Sequence, residues 1–596
     1  MTDLAKRIRP HIHALSARPD PAARRLARQA RLLGGYLLFG IAATFPRITH
    51  LWQAKLPDTW DQASYVWDLW WTAHQVEHLA SPFTTTLIYA PAGTGLGYHD
   101  LMPLIGLLML PVTALAGPGF AVNLLAVTVP GLLGYCMYRA ARLWLAPFGA
   151  FATGVFFGLS SILTSRAWFH LNIAVGALFL PIVLEIAVRL RRKPTVRTAV
   201  LLGAVFGCAL LTDLESAILA GLLAAAVLLP WALRRPGRRT LSLLGTVAAV
   251  GVAVGSPEIL AMLTQHSAAA QDPRALAGGY VSFGVALPQI LTPSPRVADF
   301  GLRALAQPFH DGIATEGMPT FGVTLTVLAL LGAIAGRRLP HRKAWLAGWL
   351  GAGLLALGPV LYLGAKPVVP LPITVGGQRL SLLMPYTWFV HLPGLANFRE
   401  ANRFIELALV PAALLAGSAV LWLRARLRPV LALVLVGAVL ELGWGEVGST
   451  GTIATGLPGV DRAIAADHSN SIVVDLPLGF RSGALGYGAR FDAQALAEAT
   501  LDDHPRAIGW VARLSPATLK VLVSQPFYAD LIRLGGNQSL AATDIPAATS
   551  SARALDVGWV IAWQPPDQQT ARLLADTGFT LDHTADGVSV YRAAHP

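Results

Sequence analysis

The sequence predicts a mainly α-helical protein: a polytopic transmembrane bundle followed by a small extracytoplasmic α/β domain. Three observations lead there. First, the 596 residues are 54% hydrophobic and only 13% charged, with a mean hydropathy of +0.54, more apolar than soluble domains are. Second, apolar runs close to the roughly 20 residues that cross hydrocarbon recur through the first three quarters of the chain. Third, the basic residues sit in short clusters between those runs, so the net charge of +13 reads as membrane topology and not as a nucleic-acid surface. Cys136 and Cys208, the only cysteines, lie inside apolar runs and suggest neither a disulfide framework nor a thiolate metal site.

Residues 1–31 form a basic N-terminal segment, and the run 32–48 lacks a cleavage signal, so it reads as an uncleaved signal anchor. Spanning candidates follow at 119–138, 148–164, 172–190, 197–212, 216–233, 240–262, 320–336, 344–363, 404–423 and 429–445, about eleven spans in all. The run 101–116 is interrupted by Pro103 and Pro111. If it crossed, the clusters at Arg139/Arg142, at 189–193 and at 234–239 would face away from the cytoplasm, against the positive-inside bias. It is therefore assigned as a re-entrant or surface helix within a large first outer loop, 49–118.

This assignment gives a transmembrane domain over 32–446 with a cytoplasmic N-terminus. An extracytoplasmic domain follows over 447–596, with buried strands at 471–477 and 557–563, a helix over 566–577 and a final strand at 587–591. The acids of interest then fall on the outer side.

The first outer loop carries Asp58-Thr-Trp-Asp61-Gln-Ala-Ser-Tyr-Val-Trp67-Asp68-Leu-Trp70-Trp71. Trp60, Trp67, Trp71 and His74 recur at helical spacing and share a face, which suggests a helix at the bilayer surface with indoles at headgroup level and acids in water. Asp61 is the leading candidate. A carboxylate there can deprotonate an acceptor hydroxyl or hold a divalent cation, Mg or Mn, that steadies a departing phosphate. The competing reading is a solvated helix face, which suits Asp58 and Asp68 better.

Asp213 and Glu215 end an apolar run, where a buried carboxylate costs roughly 2.5–3.5 kcal/mol, so the pair either has a function or marks the water boundary. His170, with Arg166 and Trp168 before it in a short outer turn at 165–170, is a metal ligand, a phosphate contact or an ordinary satisfied histidine. Glu316, with His310 and Asp311 near it, forms no recognisable metal spacing. Arg399 and Arg403 are four apart at the outer entrance of a span, against the positive-inside bias. That placement suits either an anionic phosphate or ion pairs with Glu400 or Glu406.

Several short motifs in order resemble the GT-C superfamily of membrane glycosyltransferases, the group that uses polyprenyl-phosphate-linked sugars. They are Asp61 to Trp67, Trp70, Trp71 and His74; Pro82 to Thr85 and Tyr89 to Leu96; Phe157 to Ser161 with His170-Leu-Asn172; Asn397-Phe398-Arg399 to Arg403-Phe404; and the closing Val590-Tyr591-Arg592. The chain departs from the pattern at Trp60, where relatives have glycine, and at Ser161, where they have proline; Asp213-Leu-Glu215 only approximates the acidic motif. The resemblance implies a GT-C bundle with a juxtamembrane helix before the first crossing after the loop.

It also implies transfer of a hexosyl or pentosyl group from a polyprenyl-phosphate sugar to an extracytoplasmic glycan or protein. Asp61, Asp213 and Glu215 would be catalytic, and His170, Arg399, Arg403 and Trp67 would bind substrate. The rivals are a transporter or flippase and a non-catalytic assembly protein for lipid-linked glycans; acids gathered on the outer side, away from the midplane, weigh against transport.

Overall fold

The computed structural model describes residues 21–52, 55–57, 60–266, 273–292, 301, 320–336, 339–363, 366–443, 452–454, 458–483, 486–489, 493–536, 538–540 and 544–594. Asp58, His310, Asp311, Glu316 and the Arg337-Arg338 cluster lie outside these residues, as does the side chain of Trp60.

Helix covers most of each of the eleven apolar runs, beginning with Pro21–Ala43, though the run 344–363 is helical only to Ala356 and ends in a strand, Leu361–Leu363. Five helical stretches are long and apolar enough to cross a membrane unaided: Pro118–Ala141, Leu171–Arg192, Leu214–Arg234, Arg238–Gln265 and Ala401–Arg426. A sixth candidate is the pair Pro147–Gly158 and Ser161–Phe169, bent by 42°. The protein is thus a multi-pass membrane protein. Ala401–Arg426 runs through the middle of the bundle with 94% of its apolar window buried, which explains its nearly uniform apolar character. Arg238–Gln265 lies at the periphery with 22% buried. Small residues let helices touch: a Cβ on Gly332 would fall 2.0 Å from the Leu415 carbonyl oxygen, so the Gly322–Ala335 helix reaches the central one only through glycine.

Pro103–Ala116 is a 14-residue helix, about 21 Å long, that packs against the Trp60–Glu77 helix. The latter corrects the expectation of an interfacial helix. Trp67 is 1% exposed and Asp68 0% exposed, and the indoles stack inside the protein, Trp67 on Trp71 at 5.3 Å and Trp71 on His74 at 5.6 Å. Periodic tryptophans mark a face that meets something amphipathic. Here that something is protein, including the Ala493–Glu498 helix of the C-terminal domain.

The outer turn at 165–170 is likewise shorter than expected. Helix continues to Phe169 and breaks only at His170 (φ −136°, ψ 72°).

The C-terminal domain contains a four-stranded mixed sheet. Ile472–Leu476 runs parallel to Val557–Ala562, which pairs antiparallel with Val588–Ala593, and that strand pairs with Phe579–Ala585. Asp586 and Gly587, both at positive φ, make the two-residue turn that links the last two strands, the Asp-Gly signature of a hairpin. A three-stranded sheet (Gly479–Ser482, Gly486–Gly488, Trp510–Val511) and the hairpins at 361–381 had no clear sequence signal.

The two parts of the chain are joined through the first loop. Lys55–Pro57 pairs antiparallel with Thr452–Ala454, the Ala90 amide donates to the Arg506 carbonyl, and the Tyr89 hydroxyl donates to the Arg481 carbonyl at 2.5 Å.

Candidate active site

Arg47 sets the position of the first acidic candidate. Its buried guanidinium donates to Asn123 Oδ1 (2.9 Å), Gln62 Oε1 (3.0 Å) and the Ala167 carbonyl (3.3 Å), and it lies over the Trp168 ring. The start of the Trp60–Glu77 helix is thereby fastened to the helix that ends at His170. In consequence Asp61 Oδ2 lies 3.3 Å from His170 Nε2, while Asp61 Oδ1 accepts a hydrogen bond from Trp510 Nε1 at 3.1 Å. Arg166 Nη1 is 3.4 Å from His170 Nδ1 and can only donate, so Nδ1 accepts and the ring proton sits on Nε2, facing Asp61. Arg166 itself pairs with Glu406 at 3.1 Å. The Asp61 side chain keeps 30% of its surface exposed, enough for a substrate to reach it.

Two hydrogen bonds join the Trp60–Glu77 helix to the second acidic motif. The Tyr65 hydroxyl donates to Asn172 Oδ1 (2.6 Å), and Asn172 Nδ2 donates to Asp213 Oδ1 (3.2 Å). Asp213 Oδ2 accepts the Ser216 amide at 2.7 Å and caps the Leu214–Arg234 helix, so Asp213 has a structural task of its own. Glu215, in the first turn of that helix, pairs with Arg403 Nε at 2.9 Å.

Asp213, Glu215, Arg399 and Arg403 line one cavity of about 440 Å³ at the ends of the helices, together with Asp100, Glu258, Glu400 and Arg513. Arg399 and Arg403 do not share a helical turn, as their spacing suggested. Arg399 precedes a short 3₁₀ turn, Ala401–Arg403, and the regular helix starts at Phe404. The chain leaves helical form there because Phe283 and Tyr386 hold it: the Asn402 amide donates to the Phe283 carbonyl and the Tyr386 hydroxyl to the Phe398 carbonyl. Arg399 pairs with Glu400 at 2.9 Å and donates to the Gly483 carbonyl at 2.8 Å. Burial works against the charge on Glu400, but the Arg399 guanidinium overrides it and holds that carboxyl below its usual range.

Trp67 is not in the cavity; it belongs to the packed core. Asp61 and His170 stand beside the cavity and are not among its lining residues.

Sequence reasoning missed several members. Asp68, dismissed there as a solvated acid, is buried: Ser64 Oγ donates to its Oδ2 at 3.2 Å and His99 Nε2 is 3.0 Å from its Oδ1. His99 Nδ1 accepts the Ala512 amide at 3.2 Å, so its proton sits on Nε2 and the ring ties the first loop to the C-terminal domain. Asp100, next in sequence, is exposed to the cavity; desolvation by the surrounding protein and the Asp213 charge push its carboxyl up to about 6. Asp68 at i+7 from Asp61 was the one sequence signal for this second acid layer.

Among the described residues no three histidine, cysteine or acidic side chains converge as a metal site. Among the described residues Asp61 and His170 offer two ligand groups, and no chemical step is assigned to a bound cation.

The helical bundle, with a cavity at the helix ends beneath an α/β domain, has a GT-C-type fold. Among solved structures the arabinofuranosyltransferase AftD from Mycobacteria superposes with a TM-score of 0.56 at 15% identity over 95% of this chain, which spans 40% of that enzyme's length. The oligosaccharyltransferase AglB from Archaeoglobus fulgidus, in complex with an inhibitory peptide and a dolichol-phosphate, gives 0.44 at 11% identity, covering 90% of this chain and 69% of that one. ArnT from Cupriavidus metallidurans gives 0.41 at 13% identity, covering 94% and 98%. The chain matches no protein-family model and no curated protein sequence.

Proposed function

We propose that the protein is a glycosyltransferase that moves a sugar from a polyprenyl-phosphate donor to an acceptor outside the cytoplasm, in cell-envelope glycan synthesis. The observation that carries this reading is the gathering of two arginines and the Asp213/Glu215 motif in one cavity, with the Asp61–His170 pair beside it. In this mechanism Arg399 and Arg403 hold the donor phosphate. Asp61, oriented by His170 and Trp510, takes the proton of the acceptor hydroxyl as that oxygen bonds the anomeric carbon. The anomeric carbon–phosphate oxygen bond breaks, and the electron pair leaves with the lipid phosphate. The likeness to a solved arabinofuranosyltransferase supports glycosyl transfer as the reaction class.

Charge sets a condition on donor binding. The cavity is lined by the carboxyls of Asp100, Asp213, Glu215, Glu258 and Glu400 against the guanidiniums of Arg399, Arg403 and Arg513. An added phosphate anion therefore requires neutralised acids or extra positive charge. Asp100, raised to about 6, is the group placed to accept a proton.

Topology supports one shared side of the membrane for the two halves of the site. Asp61 and Trp510 share a hydrogen bond, so the first loop and the C-terminal domain lie on one side of the membrane, which requires an even number of crossings between them. The ten apolar runs after residue 117 meet that requirement; an additional crossing at 103–116 would break it.

The test is binding of a short-chain polyprenyl phosphate to wild type, Arg403→Ala and Arg403→Lys. Arg403→Ala is expected to lose roughly ten- to a hundredfold in affinity, and lysine to restore part of it, since it keeps the charge without the planar fork. Pairing each variant with Glu215→Gln removes the orphaned carboxylate as an explanation. Equal affinities in all variants would remove the phosphate from this cavity.

A further inference from the structure

We infer that a second cleft, contiguous with the cavity, binds the acceptor, and that the acceptor is a neutral carbohydrate chain. The inference rests on the transferase reading and narrows its substrate. The cleft, about 590 Å³, lies between the Thr84–Thr85/Thr94–Gly95 hairpin and the residues around Ser515. Its lining is unlike that of the charged cavity. None of its lining residues is acidic and none is a large aliphatic side chain; hydroxyls, glycines, one amide and two aromatic rings make up most of it. An anionic ligand would find one cation there, Arg513, which already donates to the Ala512 and Asn397 carbonyls. An apolar peptide side chain would meet only aromatic faces, Ala92 and threonine methyls, with no aliphatic pocket to enter.

A sugar meets what it needs. The hydroxyls of Thr84, Thr86 and Thr518 make no hydrogen bond within the described residues, and each both donates and accepts. The frame that carries them is fixed in advance. Gln265 accepts the Gly97 amide at 2.8 Å and donates to the Phe83 carbonyl at 2.9 Å, locking the hairpin to the Arg238–Gln265 helix. Gly95 lies so close that a Cβ there would fall 2.4 Å from Gln265 Oε1. Hydroxyls on a rigid frame recognise a polyhydroxylated ligand without first paying to order themselves.

The cleft also leads to the right place. Tyr98 and Arg513 line both it and the cavity, so a chain lying along the hydroxyls ends beside the donor phosphate arginines.

The experiment uses the full chain in lipid nanodiscs, which avoids sugar-headed detergents. Saturation-transfer NMR titrations are run with neutral linear hexasaccharides of glucose, mannose, galactose and arabinose, with hexagalacturonate and with a neutral decapeptide. At least one neutral hexasaccharide is expected to bind, and Thr86→Trp and Thr84→Val/Thr518→Val are each expected to weaken it at least tenfold. The inference is overturned if no neutral hexasaccharide binds, if neither cleft variant weakens binding, or if hexagalacturonate or the peptide is the ligand those variants release. Polyprenyl phosphate binding in the same nanodiscs separates the two claims. Retained, Arg403-sensitive phosphate binding with no sugar binding sinks the acceptor inference alone, whereas phosphate binding indifferent to Arg403 sinks the transferase reading first.

Discussion

Replacing Trp510 with phenylalanine tests whether the C-terminal domain tunes the candidate base. The indole Nε1 donates to Asp61 Oδ1 at 3.1 Å from a residue 449 positions away. A hydrogen bond to an ionised carboxylate contributes about 1.5–3 kcal/mol, and the 30% exposure of Asp61 lets water replace part of it, which favours the lower figure. About 1.5 kcal/mol corresponds to roughly a tenfold loss in kcat/KM. Phenylalanine keeps most of the ring packing, so thermal stability and polyprenyl phosphate affinity should stay near wild type. Asp61→Asn should cost roughly 10²–10⁴-fold, since it removes the base. If the indole acts only through the carboxylate, Trp510→Phe should add little in the Asp61→Asn background, the mark of one functional unit. The assay is transfer from a labelled polyprenyl-phosphate sugar to the acceptor in nanodiscs. A wild-type rate for Trp510→Phe, or full additivity with Asp61→Asn, would refute the coupling.

Other expectations concern charge and topology. Because the Asp100 carboxyl is raised to about 6, it is protonated below that pH; affinity for a polyprenyl phosphodiester, whose own charge is constant here, should fall as pH rises from 5 to 7.5, and Asp100→Asn should flatten the curve in an equilibrium binding titration. Arg506 is fully buried with Asp475 (2.8 Å) and Asp502, so Arg506→Ala strands both carboxylates and should cost about 3–5 kcal/mol, read as a lowered melting temperature. Burial already pushes the Asp475 carboxyl up to about 6 against the pull of Arg506, so its protonated form is favoured in the fold and the Arg506→Ala deficit should deepen as pH rises through that value. In a chain lacking Cys136 and Cys208, Ser81→Cys and Asp503→Cys should react with an impermeant thiol reagent from outside and Lys193→Cys should not; labelling of Lys193→Cys alongside Ser81→Cys would make 103–116 a crossing.

The legible parts of the fold were those governed by local pattern. Apolar runs became helices because hydrocarbon and protein core demand the same backbone satisfaction. The strands at 471–477 and 557–563 followed from short continuous apolar runs, which suit strands buried on both faces. Asp213, Glu215, Arg399 and Arg403 stood out because charge beside an apolar run is conspicuous.

The contributions that depend on distant pairing were invisible. Asp68 reads as a solvated acid until His99 is placed next to it, and Trp510 and Arg513 look like ordinary residues of a soluble domain until that domain sits on the first loop. The tryptophan face of the Trp60–Glu77 helix was assigned to lipid for the same reason, since periodicity shows that a face is covered and does not say by what.

The bond between Asp61 and Trp510 also imposes an order in time. At synthesis rates of about 5–20 residues per second, the 449 residues between them take on the order of tens of seconds to make. Throughout that interval the membrane helices can insert, yet Asp61 lacks its indole donor, His99 lacks the Ala512 amide and the cavity lacks the wall that Arg513 supplies. The candidate site is therefore assembled late in synthesis, once Trp510, Ala512 and Arg513 have joined a bundle whose helices came first.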